Sequence, residues 1–229
     1  MIFHEKLDLK FDVEAMQEGI EQIQQKVGKR TGLGANDSGF GGWSLQSHNS
    51  DWRSGFEDGG YRENADGELV QKVKMPPIYE YHNRTEACVD IFANIIDELE
   101  EKGFYPYRSR ITVLDPGQST VWHTDAMDGY YSVRLHIPII TNSECEFEVQ
   151  DEGAVHMPAD GHAHLVDVST RHRAYNRGSE TRMHFLAQVF PTVYSENFIV
   201  TESRKDILAF YAMTGHRVYQ KVMDEKAKG

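Results

Sequence analysis

From residue 107 to residue 190 the apolar positions recur at every second residue, a period that fits strands and not helices. The runs YRSRITVL, TVW, YYSVRLHIPII, CEFEVQ, AHLVDV and TRMHFLAQVF are cut by DPGQ, DAMDG, TNSE, DEG, PADG and NRGS, all rich in turn formers. Six short strands in so short a stretch predict a mainly β architecture, a sandwich or barrel of the jelly-roll kind. Ahead of them, residues 12–28 set Val13, Met16, Ile20, Ile23 and Val27 at helical spacing, with Gly28 as a stop. A second helix is expected from Asn83 and Glu86, a capping-box-like pair, through Cys88, Ile91, Phe92, Ile95, Ile96 and Leu99 to Gly103. Residues 31–67 are rich in Gly, Asn, Asp and Ser yet carry Trp43, Leu45, Trp52, Phe56 and Tyr61. Such a segment is expected to pack over the β core, with short strands around a cavity mouth. The tail, with Ile207, Leu208, Phe210, Tyr211, Val218 and Val222, reads as a closing helix. The expected organisation is one domain over 1–229: flanking helices and substrate-side loops at 12–103, the β core at 107–190 and a C-terminal helix at 202–227.

Composition narrows the function. The formal charge of -12 argues against nucleic acid and anionic membrane, both of which an acidic surface repels. No apolar run approaches the roughly 20 residues that cross a bilayer, and MIFHEKLDLK lacks a secretory pattern, so a cytoplasmic protein is expected. Cys88 and Cys145 are too few for a disulfide framework and read as reduced thiols. The chain has 11 histidines, and several fall between positions 123 and 184.

In VWHTDAM, His123 and Asp125 stand two residues apart, so an extended segment turns an imidazole and a carboxylate toward one point. Alone, the pair also describes a strand-end aspartate that orients a neutral histidine. A metal reading needs a second histidine, because a two-histidine, one-carboxylate face leaves positions open on Fe(II). The candidates are His136, His156, His162, His164, His172 and His184. His172, in STRHRAYN, is followed ten residues later by Arg182, which opens an apolar strand with its fork free for a carboxylate. The rival pairing of His162 with Arg173 is less favourable, since His162 follows the PADG turn and Arg173 opens no such strand. Arg134 and His136 alternate along RLHIPI and so share one face. On an internal strand something must compensate them, unless they lie on a solvated face with Val133, Leu135 and Ile137 inward.

Together, HTD, SVRLHIPI, HRAYN and TRMHF resemble the Fe(II)/2-oxoglutarate-dependent oxygenases, and more narrowly the aspartyl/asparaginyl β-hydroxylase-like family, which includes free-proline hydroxylases. The resemblance runs from Arg110 to Phe190. It implies a double-stranded β-helix, cupin-like in kind, with Fe(II) held by His123, Asp125 and His172. It also implies 2-oxoglutarate and O2 as cosubstrates, and hydroxylation of a C–H bond of an amino acid or amino-acid residue with release of succinate and CO2. By the same resemblance Arg182 anchors the distal carboxylate of 2-oxoglutarate, Thr112 shares that carboxylate, His136 takes the metal-proximal end and Arg134 binds the substrate's carboxylate. Thr112 is also an ordinary β-branched strand residue. Trp43 and Gln46, with Trp52 and Arg62, are expected to line the substrate mouth, the alternative being plain loop packing. His156, His164 and His184 read as structural.

The family's namesake lacks the carboxylate ligand, so Asp125 is a departure that favours the amino-acid hydroxylase branch over a peptide substrate. The competing function is a non-catalytic cupin-like metal-binding sensor or structural module. Arg182 separates the two, because such a module has no use for an anion anchor.

Overall fold

Alternating side chains can satisfy two surroundings at once, and the strands of this protein do so. The structure, a computed structural model, describes residues 3–32, 39–57, 61–63, 69–71, 80–104, 106–125, 133–168 and 170–189. In chain order the elements are β1 (His4–Lys10), α1 (Val13–Val27), β2 (Thr31–Gly32), β3 (Phe40–Ser44), β4 (Gln46–Ser47), α2 (Ser54–Glu57), β5 (Tyr61–Glu63), β6 (Leu69–Gln71) and β7 (Asn83–Arg84). There follow α3 (Asp90–Glu101), β8 (Tyr107–Leu114), β9 (Val133–Ile140), β10 (Cys145–Val149), β11 (Gly153–Val155), β12 (His162–Asp167), β13 (His172–Asn176) and β14 (Arg182–Gln188).

Seven strands form an antiparallel sheet in the order β1-β12-β9-β14-β8-β3-β2. A smaller sheet, β11-β10-β13, is extended by bridges that join Ser119 to Tyr175 and His123 to His172. From β8 onward the chain passes alternately between the two sheets, which is the winding of a double-stranded β-helix. The outer face of the large sheet carries Ile111 and Val113 from β8, Leu135, Ile137 and Ile139 from β9, and Phe185 and Ala187 from β14. These pack on the apolar stripes of α1 (Met16, Ile20, Ile23) and α3 (Phe92, Ile95, Ile96, Leu99). The Phe92 and Phe185 rings stack at 6.3 Å, which fixes α3 to the sheet. Between the sheets lies a smaller cluster of Phe147, Val149, Val166 and Val168.

The first helix has the expected ends: Asp12 accepts from the Ala15 N–H at 3.1 Å, and Gly28 leaves the helix at φ 85°. The second begins later than the capping-box pattern suggests, at Asp90 and not near Asn83. Asn83 and Arg84 are instead paired with Ser47 and Gln46, and the Thr85 hydroxyl donates to the Ser44 carbonyl at 2.6 Å and accepts the Ala87 N–H. The backbone is committed elsewhere until α3 starts, which also leaves Cys88 outside the helix. The TVW run gives bridges at Ser119 and His123 and no continuous strand, since the Ala174 N–H is taken by the Thr120 side chain at 2.9 Å. Strand β1, which sequence periodicity leaves unassigned, pairs with β12 at the sheet edge.

The expected helix at 202–227 and the first residues of the YYSVRLHIPII run lie outside the described residues. Among the described residues, no helix is long and apolar enough to cross a membrane.

Candidate functional site

The two sheets bring His123, Asp125 and His172 together. His123 and His172 form a mutual backbone pair, each N–H donating to the other's carbonyl at 3.0 and 2.8 Å, so their side chains leave the sheet side by side. The Asp125 N–H donates to the Val168 carbonyl at 2.9 Å, which fixes the third member two residues on. The ring nitrogens and carboxylate oxygens of the three residues lie within 4.8 Å of one another. Asp125 Oδ2 stands 3.7 Å from His123 Nε2 and 3.4 Å from His172 Nε2.

Backbone carbonyls set the tautomers. His123 Nδ1 lies 2.7 Å from the Val121 carbonyl and His172 Nδ1 lies 2.9 Å from that of Thr170. A carbonyl only accepts, so each Nδ1 carries the proton and each Nε2 turns a lone pair toward Asp125. Phe147 stacks on the His172 ring at 5.1 Å and holds its plane. Burial lowers the pKa of His123, against the opposing pull of Asp125, and keeps the ring neutral as ligation requires. Burial works against ionising Asp125, but the Arg134 guanidinium opposes it and holds the carboxyl well below the usual range. Arg134 Nη2 stands 2.7 Å from Oδ2, yet the approach is not aligned as a hydrogen bond, and Oδ2 is a buried acceptor without one. Two Nε2 atoms and an ionised carboxylate whose Oδ2 lacks a hydrogen-bond partner fit a divalent first-row metal such as Fe(II).

Beyond the triad, the inner face of the large sheet is polar. Arg182 opens β14 and is 3 % exposed; its Nη2 donates to His184 Nδ1 at 3.1 Å, and no carboxylate pairs with it among the described residues. Burial lowers its pKa to about 10, so it stays charged. His136 faces inward from β9, where burial, reinforced by Arg182 and Arg134, keeps it neutral, and its Nε2 has no hydrogen-bond partner. Thr112 is buried opposite His184, and its hydroxyl donates to the His184 carbonyl at 3.2 Å. Arg182, His136 and Thr112 therefore share one side of one sheet, with Arg134 beside Asp125.

Trp43 and Gln46 are not brought to the triad. Trp43 belongs to the core on the helix side of the sheet and donates its indole N–H to the Gly28 carbonyl at 3.1 Å. Gln46 turns its Oε1 to the Ser109 hydroxyl at 2.7 Å and to the Ser109 N–H. Trp52 is buried in the same core, and the Arg62 side chain lies outside the described residues.

Sequence reasoning read His184 as structural and did not single out Arg110 or Gln188 for the site. His184 touches all three residues assigned to the cosubstrate: Arg182 through Nδ1, His136 across 3.4 Å and Thr112 through its carbonyl. Parity was the available signal. His184 and Gln188 share the face of Arg182, and Arg110 shares that of Thr112.

A model of the aspartyl/asparaginyl beta-hydroxylase family matches residues 47–191. No curated protein matches the chain at a significant level. Among solved structures, a 2OG-Fe(II) oxygenase family oxidoreductase from Burkholderia pseudomallei is 12% identical over 82% of this chain and 84% of that chain, at a TM-score of 0.49. A Pseudomonas putida prolyl-4-hydroxylase is 9% identical over 82% of this chain and 91% of that chain, at 0.44. The non-heme alpha-ketoglutarate-dependent carbocyclase SnoK from nogalamycin biosynthesis is 14% identical over 81% and 79%, at 0.48.

Proposed function

The chain belongs to the aspartyl/asparaginyl β-hydroxylase family, and from that premise we propose that it is an Fe(II)- and 2-oxoglutarate-dependent dioxygenase that hydroxylates a C–H bond of an amino acid. The observation that carries this reading is the convergence of two imidazole Nε2 atoms on the Asp125 carboxylate, with both Nδ1 protons tied to backbone carbonyls. His123, Asp125 and His172 would hold Fe(II), which supplies open positions for 2-oxoglutarate and O2. Arg182, charged and without a carboxylate of its own, would take the distal carboxylate of the cosubstrate. Thr112 would turn its hydroxyl from the His184 carbonyl to the same group, and His136 would meet the metal-proximal end.

The protein's contribution is placement and dryness. The cosubstrate residues are fixed by strand register, and Phe147, Val149 and Val166 add buried apolar surface between the sheets. A metal-binding module without turnover leaves Arg182 unexplained, because burying an unpaired cation is costly unless an anion arrives. The substrate is an amino acid or amino-acid residue and the products are succinate, CO2 and its hydroxylated form.

Anaerobic titration with Fe(II) and 2-oxoglutarate, followed by succinate measurement against free amino acids and peptides, tests the reading. Metal-dependent binding of 2-oxoglutarate is expected, weakened in Arg182→Ala, with succinate formation lost in His172→Ala. Intact protein that binds no 2-oxoglutarate in the presence of Fe(II) overturns it.

A further inference from the structure

Arg110 is a buried cation held only by weak contacts. It projects from the inner face of β8 at 5 % exposure. Its Nη1 donates weakly to the Gly55 carbonyl at 3.3 Å, its guanidinium lies 5.3 Å from the centre of the Phe56 ring, and its Nε has no hydrogen-bond partner. No carboxylate forms an ion pair with it among the described residues. Burial lowers its pKa well below the ordinary value, Arg108 and Arg134 push the same way, and Asp125 opposes them, which places the guanidinium in the field of the triad. A carbonyl and an aromatic face do not repay the burial of a full charge.

Two further inward side chains share this end of the sheet. Gln188 of β14 is 3 % exposed, and its Oε1 is a buried acceptor without a donor. Its cross-strand neighbour on β9 is Arg134, 8 % exposed, whose Nε is likewise unpartnered. Strands β9, β14 and β8 are adjacent in the sheet, and Arg110 lies opposite Leu186, one inward step from Gln188. Thus Arg134 on β9 and Arg110 on β8 come from the strands on either side of the one that carries Gln188, with Arg134 beside the aspartate of the triad.

Resting on the oxygenase reading, we propose that Arg110, Gln188 and Arg134 form a subsite for a free α-amino acid with a second carboxylate, one carboxylate for each guanidinium and the ammonium for Gln188 Oε1. Charge allocation selects this class. The distal carboxylate of 2-oxoglutarate belongs to Arg182, while Asp125 is shared between the metal and the Arg134 guanidinium 2.7 Å away, which leaves Arg134 short of negative charge and Arg110 with none. A neutral amino acid satisfies only one guanidinium. A residue within a peptide offers amides where the free molecule offers a carboxylate and an ammonium.

The test is calorimetric binding to the protein loaded with Mn(II) and saturating 2-oxoglutarate under argon, comparing L-aspartate and L-glutamate with L-asparagine and L-glutamine. One dicarboxylate is expected to bind roughly ten- to a hundredfold more tightly than its amide. Arg110→Gln is expected to abolish that preference, and Gln188→Leu to weaken both members of the preferred pair. Arg110→Lys keeps the charge without the fork, and a partial preference is expected there even if the glutamine variant does not fold. Equal binding of acids and amides, or a preference that survives Arg110→Gln, overturns the subsite while metal-dependent 2-oxoglutarate binding leaves the oxygenase reading standing. Failure of 2-oxoglutarate to bind with metal overturns both.

Discussion

The two faces of the large sheet are built from the same strands and could hardly differ more. On β14, Phe185 and Ala187 join the helices in the apolar core, while Arg182, His184 and Gln188 face the other sheet, all buried. On β9, Leu135 and Ile137 go outward to the helices, while Arg134 and His136 go inward. The outer face gains free energy from burial, whereas the inner face gives some of it up by holding polar groups with unmet hydrogen bonds. Stability and chemistry are thereby divided by residue parity, and substitutions on the two faces should fail in different ways.

The sharpest contrast is His172→Ala. Removing an inward ligand should cost more than the roughly 10–100-fold loss typical of its supporting partners. The melting temperature should change little, and equilibrium dialysis of Fe(II) with thermal melts checks both. On the outer face Phe185→Ala should do the reverse. It opens a void against Phe92 worth about 3–5 kcal/mol in urea unfolding, with unchanged 2-oxoglutarate affinity per folded molecule. Loss of cosubstrate affinity at full folding would break the division.

Acid should expose the cost of the inner face. Burial, helped by His4, lowers the pKa of His164 from 6.5 to about 4, so between those values the unfolded chain takes up a proton that the folded one refuses. Stability should fall as pH drops through that window, by up to about 1.4 kcal/mol per unit from this residue. His164→Phe should flatten the slope in a series of melts. The smallest effect is expected from His184→Leu, which removes the acceptor that steadies Arg182. It should raise the dissociation constant for 2-oxoglutarate severalfold, about 1 kcal/mol, and leave metal affinity alone.

Much of this was legible in the chain. Strands β8, β9 and β14 were predictable because their alternating residues are buried on both faces, which keeps the signal strong along the whole run. The spacing of His123, Asp125, His172 and Arg182 pointed to a common site. Strand β1 was not read, since it pairs on one side only and half of HEKLDLK meets solvent. The start of α3 was misplaced because the residues that look like a cap are engaged by β4, a partner far away in sequence. Trp43 and Gln46 suggested a cavity mouth by residue type, but they lie on the short strands β3 and β4, whose pairing with β8 and β7 turns Trp43 to the helix side and Gln46 to Ser109. His184 looked structural, and Arg110 drew no reading, because a polar residue on a buried strand declares its role only through contacts from other strands.

The mutual backbone pair of His123 and His172 has a consequence for how this centre can change. The gap between the two imidazoles is set by peptide geometry, as on a ruler, so substitutions around them leave the gap intact. A single inserted or deleted residue in either segment would instead rotate one ring to the outside of the roll and erase the centre in one step. Variation at this centre should therefore come through exchange of side chains and almost never through changes in spacing.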